Sequence, residues 1–233
     1  MEANGKHAVV TGGAVRIGAA LVRALAEAGA RVTIHCRESR REAEKLAKEL
    51  PGSGHRVVVA DFSSGEAGAA KLWEQLDAPV DILVNNASCY RLPAKEEMLY
   101  DLVNRRAPVE LMRRFAAQDI SCGAVVNLLD LAVLNPAPAE GKKYLASRRR
   151  LAAATKEYAR SFAAKNLRFN AVAPGPMLPP RGLENSKMEK TLQSVPLGRP
   201  VAVEDLVRAV LFLLANDSVT GAILPVDCGM SLP

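Results

Sequence analysis

The sequence predicts an α/β protein built on a doubly wound parallel sheet with helices on both faces. Three observations carry that expectation. Apolar runs with little alternation recur at His7–Val10, Arg31–Cys36, Arg56–Ala60, Val80–Val84, Gly123–Leu129, Leu167–Val172 and Ala222–Val226. Strands of that kind are buried on both faces, as in a parallel sheet. Helical segments separate them and supply the covering layers and right-handed crossovers. Between the first run and the first helix lies a glycine turn, Thr11-Gly12-Gly13-Ala14-Val15-Arg16-Ile17-Gly18. Strand, turn, helix and strand make one βαβ unit, so the expected architecture is Rossmann-type, with ligands at the carboxyl ends of the strands.

The helices follow from their own signals. The first is rich in alanine and leucine and ends near Gly29. Ser39 stands as an N-cap for a helix through Leu50, which Pro51-Gly52 stops. Further helices are expected over about Gly65–Asp77, Glu96–Gln118, Lys143–Lys165 and Val203–Ala215. The loop Asp130–Gly141 carries two prolines, and Pro174–Lys187 is rich in proline and glycine. No linker or repeat divides the chain. It therefore reads as one dinucleotide-binding domain over 1–233, with a substrate loop at about 174–200.

Composition narrows the function classes. A net charge of +6 suits phosphate-bearing ligands, but aromatics make up only 4% and the basic residues are interleaved with acids, as over Glu38–Glu49. That pattern argues against a nucleic-acid partner. Cys36, Cys89, Cys122 and Cys228 form no CxxC pair, and with three histidines a metal site has no sequence support. Reduced thiols, the lack of a signal-peptide core after Met1 and the lack of a membrane-length apolar run lead to the expectation of a cytoplasmic protein without a membrane partner.

The glycine turn is where chemistry enters. The first N–H groups of a helix have no partner within it, and the helix dipole favours an anion there, so the turn is a seat for a diphosphate. Gly12, Gly13 and Gly18 remove side chains that would hold phosphates away from that backbone.

Several separated stretches, taken together and in order, resemble the short-chain dehydrogenase/reductase family over nearly the whole chain. They are Thr11-Gly12-(x)3-Arg16-Ile17-Gly18, Asp61-Phe62, Asn85-Asn86-Ala87-Ser88, Asn104, Tyr144-(x)3-Arg148, Arg168-Phe169-Asn170, Pro174-Gly175 and Val226-Asp227-Cys228-Gly229. The resemblance implies cofactor contacts from Gly12, Arg16, Ile17, Gly18, Asp61, Phe62, Asn86, Ala87, Ser88, Tyr144, Arg148, Pro174 and Gly175. It also implies a small-molecule substrate.

Departures from the family pattern refine this. Arg16 replaces the middle glycine, Asn-Asn-Ala-Ser ends the fourth strand, and Asp130 stands where a serine is usual; all three resemble the pteridine reductase branch. There the aspartate helps protonate a pterin nitrogen. The second strand ends in His35-Cys36-Arg37-Glu38-Ser39, with no acid to hold a ribose 2′-hydroxyl. Arg37 and Ser39 instead suit a 2′-phosphate, which favours NADP(H).

A tyrosine of ordinary pKa, about 10, is a slow proton donor at neutral pH, and a nearby cation brings it toward the working range. The family places a lysine one helical turn after that tyrosine, on the same face. It also holds the nicotinamide ribose and relays protons. Here the position is Arg148, which keeps the charge but does not readily release a proton. The resemblance makes Tyr144, Arg148, Asp130 and Asn104 the catalytic set, with Asn104 bonding backbone in its helix and holding a relay water. Asp130 also suits a plain turn cap. Met177, Leu178 and Leu183 are expected as apolar walls or a lid.

The resulting expectation is an NADPH-dependent reductase of a dihydropterin or a related carbonyl or imine. The alternatives are a general carbonyl or 3-oxoacyl-thioester reductase, and an NADP-binding protein impaired by Arg148. The alanine-rich faces of the helices over Glu96–Gln118 and Lys143–Lys165 resemble the family's subunit contact, which implies a homodimer or homotetramer.

Overall fold

The computed structural model describes residues 1–90, 92–135, 143–177 and 191–232. Seven strands form one parallel sheet: β1 His7–Val10, β2 Arg31–Cys36, β3 Arg56–Val59, β4 Ile82–Asn85, β5 Gly123–Leu128, β6 Leu167–Pro174 and β7 Ile223–Val226. Their order across the sheet is β3-β2-β1-β4-β5-β6-β7. The order reverses between β1 and β4, and a crevice opens there at the carboxyl ends of the strands. The helices are α1 Arg16–Glu27, α2 Arg40–Glu49, α3 Glu66–Trp73, α4 Met98–Asp101, α5 Ala107–Ala116, α6 Lys143–Phe162 and α7 Val203–Ala215.

Alternation along the strands splits the core into two layers. Ala8, Val10, Ala124 and Val126 face one side, packed with Leu21, Leu25, Leu206 and Val210 of α1 and α7. Val9 and Val125 face the other, with Leu72, Leu111, Phe115 and Leu151 of α3, α5 and α6. The Arg168-Phe169-Asn170 stretch is part of this frame. Arg168 donates to the carbonyls of Leu213 and Leu214 at 2.7 and 2.6 Å, tying β6 to the last turn of α7. A cation suits the negative end of that helix.

The expected elements differ from the observed ones mainly at their ends. The helix predicted to run to Asp77 stops at Trp73, and the strand predicted from Val80 begins at Ile82. The larger correction concerns the helix predicted over Glu96–Gln118, which is interrupted. A π-helical turn, Leu102–Arg106, lies between α4 and α5, and the Ala107 N–H donates to the Leu102 carbonyl. Pro108 in the first turn of α5 explains it. Proline has no N–H for the carbonyl four residues back, that of Asn104, and its ring crowds that carbonyl, so the helix widens to let the chain past.

Candidate active site

The glycine turn is closed by its own chain. Gly12 has φ +62°, and a Cβ there would lie 3.1 Å from the Ala87 Cα; a Cβ on Gly18 would lie 2.0 Å from the Gly12 carbonyl oxygen. Both glycines are therefore required for the turn to fold against β4, before any ligand approaches. That role comes in addition to the space they are expected to leave for phosphate. Arg16 also has a positive φ, +56°, so the chain keeps the left-handed conformation that glycine would adopt cheaply while carrying a guanidinium there. Val15 precedes α1 and makes no side-chain capping bond.

Two polar residues hold this turn. The Asn86 Nδ2 donates to the carbonyls of Thr11 and Gly12, both at 3.0 Å, and the Thr11 Oγ1 accepts from the N–H groups of Asn86 and Ala87. Asn86 thus fastens β4 to the turn. His35 is the residue that sequence reasoning missed. Its Nδ1 accepts from the Gly12 N–H at 3.2 Å, so Nε2 carries the proton and donates to the Ala60 carbonyl at 3.0 Å. The ring is 3% exposed and stacks on Phe62 with centroids 4.3 Å apart. Burial pushes its pKa down to about 4, which keeps it a neutral acceptor. A histidine near the end of a buried strand was the available signal.

At the carboxyl end of β2, Arg37 pairs with Glu38 at 2.9 Å and remains half exposed. Ser39 takes the N-cap position of α2 as expected, but its hydroxyl makes no capping bond. Asp61 turns its carboxylate onto the Ser63 N–H and Oγ, at 2.9 and 2.8 Å, and Phe62 gives its ring to His35.

The tyrosine lies between an anion and a cation. The Tyr144 Oη donates to the Asp130 Oδ2 at 3.1 Å, while the Asp130 Oδ1 accepts from the Ala132 N–H at 2.9 Å. One carboxylate is therefore both the turn cap and the partner of the phenol. The Arg148 guanidinium is 4% exposed and meets only neutral acceptors among the described residues. Nη1 donates to the Leu128 carbonyl at 3.3 Å, Nη2 to the Ser88 Oγ, and Nε reaches the Tyr144 Oη at 3.5 Å. Burial, with Asp130 beside it, pushes the Tyr144 phenol up to about 12 against the pull of Arg148. The rings of Tyr90 and Tyr100 meet the Tyr144 ring edge-on.

Asn104 is fully buried in the π-helical turn. Its Oδ1 accepts from the Cys89 N–H at 2.9 Å and its Nδ2 donates to the Cys89 carbonyl at 3.0 Å. The side chain thus clamps the strand-end loop, where a bond within its own helix was expected. Beneath it, Asn85, Asn127 and Thr155 form a buried chain of hydrogen bonds from β4 through β5 to α6.

A cavity of about 1070 Å³ opens at the switch point of the sheet. Gly12, Arg16, Ile17 and Gly18 line one part of it, Asn86, Ala87 and Ser88 another, and Asp130 and Tyr144 converge on it with Pro174 and Gly175. Arg37, Ser39, Asp61, Phe62, Asn104 and Arg148 lie outside its wall, the last two directly behind it through Cys89 and Ser88. Met177 lines the cavity; Leu178 and Leu183 fall outside the described residues. The wall also takes in Tyr90, Leu134 and Leu232, three large apolar side chains that stay exposed. Among the described residues no group of histidine, cysteine and acidic side chains is arranged to hold a metal.

Known proteins resemble this chain over nearly its full length. A family model described as Enoyl-(Acyl carrier protein) reductase matches residues 13–231. L-xylulose reductase of Mus musculus is 33% identical over 97% of this chain and 96% of its own length. The 3-oxoacyl-[acyl-carrier-protein] reductase FabG of Chlamydia muridarum is 28% identical over 97% of each. Among solved structures, FolM alternative dihydrofolate reductase 1 from Brucella canis, complexed with NADP, is 32% identical with a TM-score of 0.85, over 100% of this chain and 96% of that one. A blue fluorescent protein from a metagenomic library, in complex with NADPH, is 31% identical with a TM-score of 0.88, over 99% and 100%. Likeness of this degree over almost the full length of both partners decides membership: the chain belongs to the short-chain dehydrogenase/reductase family of oxidoreductases.

Proposed function

We propose that this protein is an NADPH-dependent reductase of a dihydropterin or a closely related cyclic imine or carbonyl compound. The observation that carries the reading is the pairing of Asp130 with Tyr144 on the cavity wall, a carboxylate and a phenol within 3.1 Å of each other. NADP(H) fits the residues present. The turn at Gly12 and Gly18 has no room for a Cβ, α1 has no side-chain cap, and no acid ends β2 to hold a 2′-hydroxyl. Arg16 on the cavity wall and the Ser39 hydroxyl at the N-cap of α2 are the groups for phosphate, with Arg37 beside them.

When bound, NADPH supplies a hydride to the substrate carbon. The chain supplies the rest. Tyr144, held protonated by burial and by Asp130, gives its proton to the neighbouring nitrogen or oxygen, and the phenolate regains a proton from solvent. Asp130 is placed to accept a hydrogen bond from a ring N–H and so to orient a pterin edge. Tyr90, Leu134 and Leu232 offer apolar surface to a flat ring, which suits a heterocycle better than a polyol. Asn104 holds the loop that carries Ser88.

The test is steady-state loss of NADPH absorbance with dihydropterin and quinonoid dihydropterin. Turnover that Asp130→Ala reduces about 100-fold or more is expected. Turnover of diketones or acetoacetyl thioesters with none of pterins would establish the second reading, a general carbonyl or 3-oxoacyl-thioester reductase, which the curated relatives favour. NADPH binding without any turnover, cured by Arg148→Lys, would mark a protein in which the proton relay is lost.

A further inference from the structure

We propose that Ser88 is a positioning residue that holds the Arg148 guanidinium off the Tyr144 phenol and thereby withholds from the phenolate the charge-assisted bond that would stabilise it. The inference rests on the reading of Tyr144 as the acid of the reaction. It starts from the shape of arginine. A guanidinium is a rigid planar fork, so bonds at its two terminal nitrogens fix the direction of the third. Here Nη1 is fixed by the Leu128 carbonyl at 3.3 Å and Nη2 by the Ser88 Oγ. Nε is left with the Tyr144 Oη at 3.5 Å, at the outer limit of a hydrogen bond.

The cation is thus buried one turn from the phenol yet spends its best donors elsewhere. Meanwhile the Tyr144 proton points to Asp130, not away from it. Among the described residues, the charged groups bearing on the phenol are Arg148 from its own helix and Asp130 from the end of β5, and the rings of Tyr90 and Tyr100 meet it edge-on. Without the Ser88 hydroxyl the fork has a single backbone anchor and can turn toward Tyr144. A charge-assisted bond to the phenolate would then favour ionisation. Ser88 is exposed, so losing its hydroxyl removes this bond without opening the core.

The consequence concerns direction. Reduction needs the phenol protonated, whereas alcohol oxidation needs the phenolate as base. With Arg148 diverted, the oxidative direction is starved of its base at neutral pH and gains tenfold for each pH unit.

The experiment is a spectrophotometric titration of tyrosinate, with Tyr144→Phe subtracted to isolate this one phenol. It needs neither cofactor nor substrate, so its failure is separate from failure of the reductase reading. In the parent, Tyr144 is expected to stay protonated to about pH 11. Ser88→Ala should bring ionisation down by about one pH unit, a tenfold gain in phenolate, and Ser88→Thr should restore the parent curve. In Arg148→Lys, whose ammonium turns freely, adding Ser88→Ala should change nothing further. A Ser88→Ala phenol that stays protonated as far as the parent's overturns the proposal. So does an equal Ser88→Ala shift in the arginine and lysine backgrounds.

Discussion

His35 shows how one side chain couples the turn to pH. The folded protein keeps the imidazole neutral down to about 4, whereas the unfolded chain protonates near 6.5. Between those values the unfolded state binds the extra proton. Stability is therefore complete above about pH 6.5 and falls toward pH 4, by on the order of 3 kcal/mol. His35→Phe keeps an aromatic ring against Phe62 and should flatten that slope in urea melts at pH 4.5 and 7.5. It should also weaken NADPH binding, because the Gly12 N–H loses its acceptor. An unchanged acid slope would show that His35 is not the titrating group. At the chemical end of the cavity, Tyr144→Phe should lower kcat by about 100- to 10,000-fold while NADPH still binds in calorimetry. A variant that turns over at the parent's rate would remove the phenol from the reaction.

At the scale of the element, the π-helical turn gives the clearest prediction. Pro108→Ala returns the missing N–H to the Asn104 carbonyl, so a regular helix over 102–106 becomes available. Asn104 then shifts around the helix and releases Cys89. Turnover should fall at least tenfold while thermal stability holds or rises, and retained activity would show the turn to be idle. This element also shows what the sequence could yield. The strands were legible because strands buried on both faces are written as apolar runs. Pro108 is the signal in the sequence for a break within the helix expected over Glu96–Gln118. The resemblance named Asp130 and Tyr144 as members of one catalytic set but not their hydrogen bond, and the Ser88 bond to Arg148 joins residues 60 apart in the chain and has no local signature. His35 had a local signal, its place in a buried strand, but its partners Gly12 and Ala60 lie on two other segments of the fold.

At the scale of the whole molecule, the sheet gathers the glycine turn, the end of β4, Asp130 and Tyr144 at one crevice, leaving the far side of α5 and α6 outside the site. Ala153 and Glu157 of α6 and Arg113 of α5 are exposed there, small and charged residues suited to close helix contact. We expect light scattering at micromolar concentration to report a dimer or tetramer, and a monomer would contradict a contact through this face. The roles of the glycine turn and of Tyr144 require a pyridine dinucleotide lying along the turn with its reactive ring turned to Tyr144. Titration calorimetry with NADPH and NADH tests that most directly. Saturable one-to-one binding of NADPH, at least tenfold tighter than NADH and weakened by Gly12→Ala, is the predicted result; no heat from either nucleotide would contradict it.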